Sequence, residues 1–242
     1  EQRPFRSIAV GARYSTDSGP GGRVELEHRN LFGANETGTL ATDVSLTEQR
    51  IEARVRKPQF RRNRQDLVGG LSLRHIESDA FDEVGATATL GLERRLSRFW
   101  NVGLGTLAEV TQSTSSDAEG RSYLFGLPAF AEYDNTDDAL NPSKGWRVRA
   151  TVTPFIGQFD SQLTPFLSNE VSASTYFDLT GEKRYIAAFR GRLGSILAGG
   201  IGNVPGGRRL YGGGGGSVRG YAERSIGPLD SADEPTGGLS AM

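Results

Sequence analysis

The sequence predicts an all-β chain, specifically a transmembrane antiparallel β-barrel, and three observations carry that prediction. Apolar and polar residues alternate with period two along most of the chain, and no window sustains a helical period. Turn signals recur only every roughly 15 to 20 residues. Soluble sandwiches use strands of about five or six residues, whereas membrane barrels use about 9–11, so the spacing selects the barrel.

The strands follow in order. The first is predicted over 5–15, where Ser7, Ile8, Gly11 and Tyr14 lie, followed by 22–31, 37–47 and 49–58. The fourth shows the pattern most plainly. Ile51, Ala53 and Val55 share one face, while Arg50, Glu52, Arg54 and Arg56 share the other. A water-filled interior accepts charges of both signs and lipid accepts almost none, so the charged set is expected inside and Ile51 and Val55 in lipid. Further strands are predicted over 66–77, 83–94, 99–112, 121–133, 145–156, 167–179 and 184–197, with another starting near 236. Val84, Ala86, Ala88, Leu90 and Leu92 repeat the alternation, as do Trp146, Val148, Ala150 and Val152.

Alternate turns fall on the same side of such a sheet. One set, at 30–33, 57–64, 93–98, 134–145 and 180–184, is short and arginine-bearing. The other, at 15–22, 77–83, 112–120, 157–165 and 197–220, reads as longer and richer in Ser, Asp and Gly. Short turns opposite longer loops predict a periplasmic and an extracellular end.

Composition narrows the function classes. The 242 residues are 36% hydrophobic and 24% charged, with a formal net charge of −1, which gives no global support for nucleic-acid binding. Zero cysteines and two histidines leave neither a disulfide framework nor a thiolate zinc site, and no metal or cofactor is expected. No run approaches the roughly 18 apolar residues that a membrane-spanning helix needs. The opening Glu1-Gln-Arg-Pro4 reads as an excerpt of a longer chain.

One motif carries a resemblance. Gly212-Gly-Gly-Gly-Gly-Ser-Val-Arg-Gly-Tyr221 contains a Val218-Arg219-Gly220-Tyr221 element after about eleven predicted strands, followed by Ser225-Ile-Gly-Pro228 and Pro235-Thr-Gly-Gly238. The segment Tyr133-Asp-Asn-Thr-Asp-Asp-Ala-Leu-Asn-Pro-Ser-Lys-Gly145 resembles a periplasmic turn, with Asp134, Asp137, Asp138, Asn141, Pro142 and Gly145 as its marks, and Asn30-Leu-Phe-Gly33 resembles another. Together these segments resemble the BamA/TamA superfamily of outer-membrane assembly factors over essentially the whole chain. Within it, they are most similar to the barrel subunit of the translocation and assembly module.

The resemblance implies a barrel of about sixteen strands, of which residues 1–242 carry about twelve and lack the closing ones, as one domain with a long lumen-directed loop at 198–220. It implies that Arg219 folds back and locks this loop to the wall, with Glu52, Glu109 and Glu132 as inward carboxylates able to oppose it. A seam beside the first strand is implied to open sideways into lipid, the residues at issue being Ser7, Ile8, Gly11 and Tyr14. Implied partners are outer-membrane lipid, client outer-membrane or secreted proteins, and a periplasmic or inner-membrane accessory subunit. The implied location is the bacterial outer membrane. A passive pore or two-partner secretion transporter is the alternative, and a barrel hydrolase a more distant one.

Other constellations carry less chemistry. The glycine run lacks the Gly-Lys-Ser/Thr ending of a phosphate loop, and Asp134 to Gly145 lacks the glycine and closing glutamate of a calcium loop. Ser72 and His75, with Asp79 nearby, suggest a triad, but an odd spacing puts Ser72 and His75 on opposite faces of a strand. The basic run Arg61-Arg-Asn-Arg64 has no stacking aromatic platform for nucleic acid; lipid headgroups, a periplasmic partner or plain solvation suit it better.

Overall fold

The computed structural model describes residues 4–15, 18–78, 81–114, 119–214, 217–218, 220–231 and 233–241. They form one antiparallel sheet, all strands and no α-helix. In chain order the strands are β1 Arg6–Ser15, β2 Gly19–Arg29, β3 Thr37–Val44, β4 Glu48–Lys57, β5 Gln65–Glu77, β6 Asp82–Arg95 and β7 Trp100–Thr114. They continue as β8 Glu119–Gly126, β9 Ala129–Asp134, β10 Gly145–Phe159, β11 Gln162–Leu163, β12 Phe166–Asp178, β13 Ile186–Leu197 and β14 Ser240–Ala241. Hydrogen-bonded neighbours run in sequence order from β1 to β14, as in an up-and-down barrel wall.

Register places the side chains as the alternation predicts. Arg50, Glu52, Arg54 and Arg56 line one face, which we call inner because the long connection after β13 packs on it; Ile51, Ala53 and Val55 lie on the outer face. Exposed Ile8, Val24, Leu40, Leu71, Leu90 and Leu104 make the outer face an apolar band. Aromatic rings gather along one margin of that band. The Trp100 and Tyr133 ring centroids lie 5.2 Å apart, and Phe177 contacts both Trp146 and Phe189 at 6.3 Å. Such girdles mark the level where lipid meets water. On the inner face arginines and acids pair across strands, as Arg56 does with Asp66 and Glu93, both at 2.6 Å.

Three expectations need correction. The strand predicted over 121–133 is broken at Leu127-Pro128 into β8 and β9. Proline has no N–H for the ladder, and the Pro128 carbonyl instead accepts from the Gly105 N–H at 2.9 Å. The strand expected near 236 begins at Ser240. Loop lengths are reversed for most connections: 16–18, 45–47, 78–81 and 115–118 span only three or four residues between strands, whereas 30–36, 58–64, 135–144 and 179–185 on the other rim span seven to ten. The strands stay paired beyond the apolar band. β7 runs on through Ser113 and Thr114, past the predicted end at 112, so polar residues that read as loop belong to strand.

Candidate functional site

The connection 198–239 after β13 is folded on itself and seated on the inner face. Two single 3-10 turns, Ile201–Asn203 and Gly206–Arg208, bracket Val204 and Pro205. Val204 has no accessible surface; it packs with Leu124, Phe155, Phe166 and Ile196, which point inward from β8, β10, β12 and β13. Burying a valine contributes about 1.5–3 kcal/mol. Gly206 lies so close to the wall that a Cβ there would stand 3.8 Å from the Cβ of Phe81. At Gly207 a Cβ would come within 2.2 Å of a Glu83 carboxylate oxygen, so no side chain fits without displacing Glu83.

Arg208 is the ionic anchor. Its Nε donates to Glu109 Oε1 at 2.8 Å and its guanidinium sits 5.0 Å from the Phe155 ring centroid. Arg74 completes the group, with Nη2 donating to Glu83 Oε1 at 2.8 Å and to Glu109 Oε2 at 3.1 Å, while Thr87 Oγ1 donates to Glu109 at 3.0 Å. Glu83 and Glu109 are 1% and 2% exposed. Two carboxylates out of water are tolerable only because two guanidiniums satisfy them, and removing either partner would strand the other. Arg209 binds the connection to itself: Nε donates to the Val204 carbonyl and Nη1 to the Thr236 carbonyl, both at 2.9 Å. Tyr211 donates to the Gly206 carbonyl at 3.1 Å and packs on Phe81. The isolated bridges Leu210–Gly238, Gly212–Ile226 and Leu229–Pro235 close the fold of the connection, which extends well past the expected 198–220.

Within the Val-Arg-Gly-Tyr element, Val218 and Tyr221 are exposed and Gly220 takes the left-handed φ of 91°. Arg219 lies outside the described residues. The carboxylates expected to oppose it are held by other arginines: Glu52 by Arg54 at 2.7 Å, Glu132 by Arg149 at 2.9 Å, and Glu109 by Arg208 and Arg74.

The 134–145 segment is a self-satisfied turn. Asp134 accepts from Thr136 N at 3.0 Å and from Arg147 Nε at 2.7 Å; Asp138 accepts from Leu140 N and Asn141 N, both at 2.8 Å. Asp137 accepts from the Ser143 N–H at 2.8 Å, the Lys144 N–H at 3.1 Å and Lys183 Nζ at 3.0 Å, which ties this turn to 179–185. The Ser143 hydroxyl, its backbone N–H and Lys183 hold the Asp137 carboxyl well below the carboxylate range, and Asp137 in turn raises Lys183. Pro142 sits between Asn141 and the buried Ser143. Gly145, at φ 110°, lies where a Cβ would be 2.7 Å from the Asn135 carbonyl.

Along β1, Ser7 and Gly11 share the inner face with Glu25, while Ile8 and Tyr14 stand on the outer face, 71% and 78% exposed. Among the described residues β1 pairs with β2 alone, and a Cβ at Gly11 would meet nothing within 4 Å. Ser72 faces inward and His75 outward, as their spacing predicts; Asp79 lies outside the described residues. His75 Nε2 instead approaches Asp82 at 3.3 Å and Glu77 at 3.5 Å on the exposed surface. Sequence reading missed this trio because the β5–β6 register, not spacing, brings Asp82 to Glu77.

Sequence reading also missed Arg208, Glu109 and Arg74 as a unit. One signal was present: Phe155-Ile156, Phe166-Leu167 and Ile196-Leu197 are apolar on both faces near strand ends, so something must cover the inner member of each pair. Between this anchored connection and the wall of β3 to β9 lies a cavity of about 720 Å3 lined by Arg50, Glu52, Arg54 and Arg56 among others.

Comparison with known proteins fits this architecture. The outer membrane protein assembly factor BamA of Neisseria meningitidis serogroup B is 26% identical over 94% of this chain and 31% of its own length. The protein of the same description from Nitratidesulfovibrio vulgaris is 28% identical over 93% of this chain and 29% of its own. The chain thus spans under a third of the curated relatives it matches. Among solved structures, BamA from Haemophilus ducreyi lacking POTRA domains 1–3 superposes with a TM-score of 0.85 at 19% identity, over 99% of this chain and 52% of that one. CdiB from Acinetobacter baumannii gives 0.59 at 19% identity, over 90% and 42%. Residues 30–242 match the Omp85 superfamily domain, and the chain belongs to that superfamily.

Proposed function

We propose that this chain is barrel wall of a bacterial outer-membrane protein assembly factor, inserting client outer-membrane proteins, or passing secreted ones, through a seam beside β1. The observation that carries the reading is the match of residues 30–242 to the Omp85 superfamily domain, on a wall whose outer face is an apolar band and whose inner face is charged. An edge strand templates an incoming strand through backbone hydrogen bonds with little side-chain specificity, which suits a factor serving many clients. The names of the curated relatives support the same role. Outer-membrane lipid bathes the apolar band, and an accessory subunit on the wider-turn rim belongs to the reading.

The lock assigned to Arg219 forms part of the proposal. A planar, always-charged guanidinium makes several directed hydrogen bonds that an ammonium cannot, so Arg219→Lys should weaken the lock and Arg219→Ala weaken it more. The test reconstitutes the full-length protein in liposomes and follows insertion of an unfolded barrel client. Insertion that falls from wild type to Arg219→Lys to Arg219→Ala is expected. A protein that conducts ions freely but inserts nothing would instead make it a passive pore or two-partner secretion transporter, a reading favoured by the polar inner cavity. An enzyme is disfavoured by the opposite facing of Ser72 and His75.

A further inference from the structure

Two neighbouring turns on the wider-turn rim carry arginines that the fold leaves without acids. Arg61, Arg62 and Arg64 in the turn 58–64 are exposed, as is Arg98 just beyond β6. The Arg95 N–H donates to the Arg64 carbonyl at 2.9 Å, so the two groups form one patch. The nearest acids in sequence, Asp66 and Glu93, are both held by Arg56 on the inner face. Among the described residues none of these four arginines has a carboxylate within ion-pair distance.

Two observations set this patch apart from a merely solvated face. Arg61 and Arg64 adopt φ of 59° and 61°, a left-handed backbone that favours glycine or asparagine, so the sequence keeps arginine where it is sterically disfavoured. Each group also lays a guanidinium over a neighbouring ring, Arg61 at 5.4 Å from Phe60 and Arg98 at 5.1 Å from Phe99. Phe99 leads into the Trp100–Tyr133 aromatic margin of the apolar band. The patch therefore sits at the level where headgroups meet hydrocarbon. The opposite rim differs: its connections at 45–47 and 160–165 carry no arginine at all.

We propose that this patch binds the phosphodiester headgroups of anionic phospholipids in the leaflet next to the wider-turn rim. A guanidinium fork matches two phosphate oxygens, aromatic rings anchor the interface, and the adjoining apolar band takes the acyl chains. An acidic soluble protein would match the charge but would find no reason for the patch to border the band.

The test uses the full-length protein in vesicles of phosphatidylcholine doped with a fluorescent phosphatidylglycerol, read by energy transfer from tryptophan. Wild type should enrich the anionic lipid around itself, and a variant with Arg61, Arg62, Arg64 and Arg98 all changed to Gln should lose most of that enrichment. A milder variant, Arg61→Gln with Arg62→Gln, should lose part of it if the larger set fails to fold. Enrichment that survives in the folded variants would overturn the proposal. So would its abolition in wild type by millimolar inorganic phosphate, which indicates a free-anion site, or by an acidic peptide, which indicates a protein partner.

Discussion

The turn 135–144 and the connection 198–239 both leave the end of a strand, yet opposite physics holds them. The turn is held by its own aspartates, with Asp137 and Asp138 accepting from amides two to seven residues on. The connection is held by partners far along the chain: Arg208 reaches Glu109 across 99 positions, and Val204 fills a pocket built by four strands. Local hydrogen bonds make a turn that forms whenever its strands pair. Distant ones tie the connection to the wall and leave it dependent on residues outside its own sequence.

The largest expected effect comes from Glu109→Ala. It leaves Arg74 and Arg208 facing each other without their shared carboxylate and should cost about 3–5 kcal/mol. Chemical unfolding in micelles should show the loss, and limited proteolysis should cut the connection 198–239 before the wall. Equal protection of that connection in variant and wild type would break the comparison.

Val204→Ala removes two buried methyl groups and should cost about 2 kcal/mol. Leu140→Ala in the other turn, where the side chain is 97% exposed, should leave the unfolding midpoint unchanged. Comparable losses at the two positions would mean that the turn has a core of its own.

Asp137→Asn should be smaller still and confined to the turn. Amide exchange at Ser143 and Lys144 should quicken, with the wall's global unfolding unmoved.

The smallest effect is acid titration of the rim. The Lys57 ammonium, at 2.9 Å, and the Ala34 N–H hold the Glu36 carboxyl at about 2, down from its ordinary 4.5. A depressed carboxylate stabilises the fold fully above its unfolded value, so this contribution should decline below pH 4.5 and vanish as pH falls through about 2. The Ala34 amide resonance should titrate with a midpoint of about 2; a midpoint near 4.5 would show that the contact does not form.

Strand order and facing were legible because a strand's faces are written in its own residues, as at Arg50 to Arg56, where period two separates charge from apolar. The turn 134–145 was legible for the same reason, since its donors and acceptors sit side by side in sequence. The Arg208 anchor was not, because nothing in the residues around 208 names Glu109. The break at Leu127-Pro128 carried a sign in the proline, overridden by the alternation on either side. Loop lengths misled because strands that rise above the lipid keep pairing with polar side chains, so Ser113 and Thr114, just past the predicted strand end at 112, look like loop and are wall.

The seated connection is tested most directly by a disulfide. The chain has no cysteine, and a Cβ at Gly206 would lie 3.8 Å from the Cβ of Phe81, the usual separation in a disulfide. With Gly206→Cys and Phe81→Cys together, mild oxidation of the membrane-embedded protein should join the connection to the β5–β6 turn rapidly and nearly completely. The pair Leu140→Cys and Phe81→Cys, whose positions lie on opposite rims, should stay reduced. If the Gly206→Cys and Phe81→Cys pair also stays reduced while the wall is folded, the connection does not rest on the inner face and the account of the site is wrong.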